Sequence, residues 1–136
     1  MSSINTKELQ AKDSAHFMHP FTDTKSLSER GARIITHGEG VYVYDSHNEK
    51  ILDGMSGLWC VNMGYGQQSI IDAATEQLKV LPFYNSFFNT TTPPSVELAS
   101  LLAQVAPEGF NHVFYSSSGS ESNDTNLRMV RRYWDI

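Results

Sequence analysis

The chain has 136 residues, 40% of them hydrophobic and 18% charged, with a formal charge of −5 at pH 7. This is a globular mixture long enough to bury a core, and its negative balance excludes a general affinity for nucleic acid. No apolar run reaches membrane-spanning length, the start carries no signal-peptide core, and Cys60 is the only cysteine, so a cytoplasmic protein without an intrachain disulfide is expected.

Residues 1–15 are polar and weakly patterned, and read as an arm or a short helix. From His16 to Leu27, the apolar Phe17, Met18, Phe21 and Leu27 surround Pro20, which interrupts a helix, so an irregular segment lying against other structure is expected. His16 and His19 stand three apart with no further ligands nearby, and are assigned no metal. Ala32 to Asp53 has a β pattern: Ile34-Ile35, Val41 to Tyr44 and Ile51-Leu52 are separated by turn residues at Gly38-Glu-Gly40 and Asp45-Ser-His-Asn48. A three-stranded antiparallel meander follows from it.

Gly54 to Gly66 holds four glycines in thirteen residues and reads as a loop. Trp59 within it either plugs a core or faces a ligand, and Cys60 reads as a small buried apolar residue. Ser69 with Asp72 predicts a helix cap, and Ile70, Ile71, Ala74, Leu78 and Leu81 repeat at helical spacing until Pro82. Phe83 to Phe88 is an aromatic connection. A second helix opens after Thr92-Pro93-Pro94, carries Leu98, Leu101, Leu102 and Val105 on one face, and stops before Pro107 and Gly109.

His112 to Tyr115 predicts a short strand, and Ser118-Gly-Ser-Glu121 starts a last helix with Leu127, Val130 and Trp134 along one side. Arg128, Arg131 and Arg132 read as cations near its C-terminus. No glycine, asparagine or proline closes that helix before Ile136, and a lone strand of parallel type needs a partner, so the chain is expected to be part of a longer one.

The turn at Ser116-Ser-Ser-Gly119-Ser120-Glu121 has two readings. A helix N-terminus offers unpaired N–H groups and a positive dipole end, which suit a phosphate, and Ser120 adds a hydroxyl. Equally, Ser118 and Glu121 form an ordinary capping box that uses those donors internally, and the local pattern alone favours this by roughly two to one. The motif is neither a Walker loop nor a dinucleotide fingerprint nor a nucleophile elbow.

Taken in series, His19-Pro-Phe21-Thr-Asp, Gly38-Glu-Gly40-Val-Tyr, Asp53-Gly-Met-Ser-Gly-Leu-Trp-Cys-Val-Asn62, Gly64-Tyr-Gly66, Pro82 to Phe88 and Val113 to Ser122 resemble the N-terminal region of class III aminotransferases. Within that family the ω-transaminases are the nearest in look, and the resemblance runs from about Ala15 to Ile136. It implies an α/β fold of PLP fold type I. The expected parts are residues 1–54 as an N-terminal segment and meander, 55–111 as a connecting loop and helices, and 112–136 as the first strand and helix of the PLP domain. It implies pyridoxal 5′-phosphate (PLP) as cofactor, with Gly119 and Ser120 holding its phosphate, which reverses the preference for simple capping. It implies that Leu58 and Trp59 line the substrate pocket with Phe21 beside them, and that Phe87, with Phe88, reaches the neighbouring subunit of a homodimer.

The activity implied is amino transfer from an amine donor to a keto-acid acceptor such as pyruvate, with hydrophobic or aromatic amines favoured. An aminomutase or an ornithine- or diaminopelargonate-type enzyme is an alternative, as is a non-catalytic module that binds a phosphate or a partner. The family's Schiff-base lysine has no counterpart here, because Lys7, Lys12, Lys25, Lys50 and Lys79 all lie outside its motif. No catalytic residue is therefore assigned, and the 136-residue chain alone is expected to be inactive.

Overall fold

The computed structural model describes residues 4–135. The chain divides into two compact units, Met1–Val80 and Leu81–Ile136.

In the first unit the polar arm is a full helix, α1 (Thr6–His16). Asn5 caps it by accepting the Glu8 N–H at 3.2 Å, and Lys12 pairs with Glu8 at 2.6 Å, so local interactions supply what apolar patterning lacks. Side-chain bonds tie α1 to the sheet region. Gln10 Nε2 donates to the Ala32 carbonyl at 2.9 Å, and the Thr6 hydroxyl donates to Ser46 Oγ at 2.8 Å. The segment expected to be irregular, His16 to Leu27, ends within a short helix, α2 (Thr24–Arg30). Asp23 nucleates it by accepting the N–H groups of Lys25 and Ser26 at 3.0 and 3.4 Å.

The meander forms as β1 (Ile35–Glu39), β2 (Tyr42–Asp45) and β3 (Lys50–Leu52), antiparallel and in sequence order. Gly38 pairs with Val43 inside β1 rather than opening the turn. The reason is a close approach: a Cβ at Gly38 would lie 2.5 Å from the ring of Tyr65. Between β2 and β3, Asp45 is only 4% exposed, the one buried residue among those described. Its Oδ1 accepts the N–H groups of His47 and Glu49 at 2.8 and 3.0 Å. The Glu49 N–H is the main reason its carboxyl lies below the usual carboxylate range; lost hydration opposes that, and His47 and Arg33 reinforce it.

After β3 come a single distorted helical turn, α3 (Ser56–Trp59), and α4 (Gln68–Val80). Ser69 falls inside the first turn of α4 instead of capping it. The Gln67 carbonyl receives the N–H groups of Ile70 and Ile71, both at 3.1 Å, and Gln68 Nε2 bonds Asp72 at 2.6 Å.

The second unit contains α5 (Pro93–Val105) and α6 (Gly119–Trp134). Pro93 takes the first position of α5, where its missing N–H costs nothing. The helix α6 reaches Trp134, where Asp135 is left-handed (φ 56°) and its N–H bonds the Arg131 carbonyl. Residues 112–115 form no strand, since no described segment offers them a ladder partner. Tyr115 instead anchors that stretch, its hydroxyl donating to the Ser95 carbonyl at 2.7 Å. Among the described residues no apolar side chain is buried, so the apolar stripes of α4, α5 and α6 lie bare.

Candidate functional site

In the second unit the candidate is the start of α6. Ser118 is extended and its Oγ accepts the Glu121 N–H at 3.2 Å. The Glu121 carboxylate turns back to accept the Ser117 N–H at 2.9 Å. These bonds use the donors on either side of Gly119 and Ser120 and leave those two untouched. Among the described residues no group accepts the N–H of Gly119 or Ser120, and none engages the Ser120 hydroxyl. The space where a Gly119 side chain would sit is empty to 4 Å. Ser120 lines a concavity of ≈ 470 Å³ together with Tyr115, Ser116 and Ser117. Asp124 borders it too, but its charge is paired with Arg128 at 2.9 Å. Two free N–H groups, one free hydroxyl and the positive end of a sixteen-residue helix fit a phosphate dianion. Capping and anion binding were alternatives in the sequence; here capping leaves room for the anion.

In the first unit the residues between β3 and α4 form the second candidate. Ser56, Gly57, Leu58 and Trp59 have φ of 49, 57, 59 and 68°, a left-handed run that includes two bulky side chains. Left-handed backbone costs a non-glycine residue about 1–2 kcal/mol, so such a run persists only where neighbours impose it. Asp53 is the neighbour that does so. Its Oδ1 accepts the Met55 N–H at 3.2 Å, its Oδ2 the Gly57 N–H at 2.8 Å, and Oδ2 also takes the Tyr65 hydroxyl at 2.6 Å. The Tyr65 bond is the largest of the causes that hold the Asp53 carboxyl below its usual range, outweighing partial loss of water. The same bond raises the Tyr65 hydroxyl. This cluster escaped the sequence reading, although an aspartate one residue before a glycine-rich stretch is a turn signal.

Leu58 and Trp59 stand out from this turn, 67% and 83% exposed. Phe21, also left-handed, is 109% exposed, so nothing packs on it and the structure does not bring it against Trp59. In the second unit Phe87 and Phe88 are 71% and 91% exposed, their ring centroids 6.2 Å apart. Their turn is stapled from within, because the Phe87 N–H bonds Asn85 Oδ1 at 2.9 Å and the Thr90 hydroxyl bonds the Phe87 carbonyl at 2.6 Å. Cys60, expected to be buried, is exposed like Leu58 and Trp59 beside it, and its Sγ donates to the Leu58 carbonyl at 3.5 Å. His19 bonds Asp13 at 2.8 Å, and among the described residues no cluster of three or more ligand-type side chains could hold a metal. No described helix is long and apolar enough to cross a membrane.

The family profile "Aminotransferase class-III" matches residues 26–135. The chain is 60% identical over 134 residues to putrescine–pyruvate aminotransferase of Pseudomonas aeruginosa, covering 98% of this chain and 29% of that protein. It superposes on a thermostable (S)-enantioselective ω-transaminase from Thermomicrobium roseum with a TM-score of 0.93 at 40% identity, covering 98% of this chain and 30% of that one. A Pseudomonas jessenii ω-transaminase solved in complex with PMP matches at 41% identity and a TM-score of 0.86, over 90% of this chain and 27% of that one. The chain thus spans under a third of the length of these relatives. With residues 26–135 inside the profile and 98% of the chain inside the match to a 60% identical relative, the chain belongs to the class III aminotransferase family.

Proposed function

We propose that this chain supplies the N-terminal part of a PLP-dependent transaminase that moves an amino group from an amine donor to a keto acid such as pyruvate. The observation that carries the reading is the pair of unclaimed N–H groups at Gly119 and Ser120, beside a free Ser120 hydroxyl. In this reading Gly119 and Ser120 hold the cofactor phosphate through backbone N–H groups, and Ser120 adds a third donor. Bound there, PLP supplies the electron sink on which amino transfer depends. Leu58 and Trp59 present apolar surface to the amine and exclude water from it; Phe21, apart from Trp59 in this chain, joins them only on the strength of the family resemblance. Phe87 and Phe88 meet the neighbouring subunit of a cytoplasmic homodimer, a role supported by two bare aromatic rings on a turn that needs neither for its own stability.

The test uses the complete protein, incubated with PLP, pyruvate and either putrescine or an aromatic amine, following alanine. Putrescine is included because the 60% identical relative is named for it. Alanine formation with at least one donor is expected, and none with either would refute the reading. The 136-residue chain alone should give no alanine above a PLP-only blank, since none of its lysines lies in the Schiff-base motif.

A further inference from the structure

We infer that the side-chain pair Asp53–Tyr65 is a positioning device that holds Leu58 and Trp59 in their left-handed turn and thereby sets which amines the enzyme accepts. This rests on the proposed role of Leu58 and Trp59 as substrate-lining residues.

The pair forms a chain of fixed points from the sheet to the turn. Tyr65 is anchored by its backbone, bridging Gly40 through its N–H at 2.7 Å and its carbonyl at 3.2 Å. Its ring lies over Gly38 so closely that a methyl group there would meet ring carbons at 2.5–2.9 Å. The Tyr65 hydroxyl, thus fixed relative to β1, donates to Asp53 Oδ2 at 2.6 Å. The same oxygen receives the Gly57 N–H at 2.8 Å, directly before Leu58 and Trp59. On its other side the Gly57 backbone has Val61 Cγ2 2.8 Å from where a Cβ would stand, so the turn has little freedom to relax inward. Remove the phenol hydroxyl and Asp53 loses its only tie to Tyr65, while the backbone bridge to Gly40 survives. The depressed Asp53 carboxyl fits this geometry, because an ionised acceptor is what three donors require.

A hydroxyl that merely stabilised the fold would lower activity on all amines alike. A positioning hydroxyl changes their ratio, and only while Trp59 is present. The experiment therefore measures kcat and KM for an aromatic amine and for putrescine in the complete enzyme, in wild type, Tyr65→Phe, Trp59→Ala and the double variant. Tyr65→Phe is expected to shift the aromatic-to-putrescine ratio of kcat/KM by about three- to tenfold, through KM more than kcat. Trp59→Ala should shift it as well, and adding Tyr65→Phe to Trp59→Ala should shift it no further. If Tyr65→Phe leaves the ratio unchanged while Trp59→Ala moves it, the positioning role falls and the pocket stands. If Tyr65→Phe shifts the ratio equally with and without Trp59, the pair acts elsewhere and the inference falls. If Trp59→Ala itself leaves the ratio unchanged, the pocket reading fails and takes the inference with it. Should Tyr65→Phe not fold, Asp53→Ala, which removes the oxygen that accepts both the Tyr65 hydroxyl and the Gly57 N–H, is read by the same ratio with and without Trp59, with the same outcomes deciding.

Discussion

The turn after β3 and the turn before α6 each begin with backbone N–H groups that no regular element uses. In the first, Asp53 takes those of Met55 and Gly57, and Tyr65, twelve residues away, locks the carboxylate in place. In the second, Ser118 and Glu121 take only the flanking donors, and those of Gly119 and Ser120 stay open. Donors consumed within the chain shape a loop, whereas donors left over are available to a ligand. The first turn thus holds Leu58 and Trp59 exposed, and the second leaves open the donors on which the proposed phosphate role rests.

The sharpest way to break the comparison is to insert a methyl group into each turn. Gly64 has φ 84°, and a Cβ there would stand 2.7 Å from the Gly40 carbonyl oxygen, which is backbone and cannot swing away. Gly64→Ala should therefore destabilise the fold by about 2–4 kcal/mol, read as a lower urea midpoint. Gly119→Ala meets nothing within 4 Å and should change stability by less than about 0.5 kcal/mol. Equal effects would mean that the two turns are equally tight. Next in size is Ser118→Ala, which frees the Glu121 N–H and should cost about 1 kcal/mol, seen as reduced helical circular dichroism on heating.

A smaller effect sharpens the contrast through pH. The Asp53 carboxyl is depressed in the folded chain, so its contribution is present above the ordinary carboxylate pKa and is lost as pH falls through the folded value. The Tyr65 hydroxyl is raised, so its contribution is full below the ordinary phenol pKa and is lost as pH rises through the folded value. Trp59 fluorescence in a Trp134→Phe background should be flat between about pH 4 and pH 10 and change outside that window. In Tyr65→Phe the alkaline change should vanish.

Much of this was legible from the sequence. The meander, α4 and α5 follow from alternation, helical spacing and Pro93, and α6 from Ser118 and Glu121. What escaped has physical reasons. The helix α2 is seven polar-rich residues whose only signal is the Asp23 cap. Gly38 looks like a turn residue because the ring that requires a glycine there, Tyr65, lies 27 positions on. Residues 112–115 have strand propensity, but a strand exists only when paired. The Asp53–Tyr65 bond joins two non-periodic positions across a loop, so no pattern of hydrophobicity announces it.

The central claim, that the start of α6 holds the cofactor phosphate, is tested most directly by PLP affinity in the complete enzyme. Equilibrium dialysis with cofactor absorbance would compare wild type, Ser120→Ala and Ser117→Ala. Ser120→Ala should bind PLP about tenfold more weakly, equivalent to losing one hydrogen bond to a charged group, while Ser117→Ala should match wild type. Equal affinity in wild type and Ser120→Ala would contradict the account.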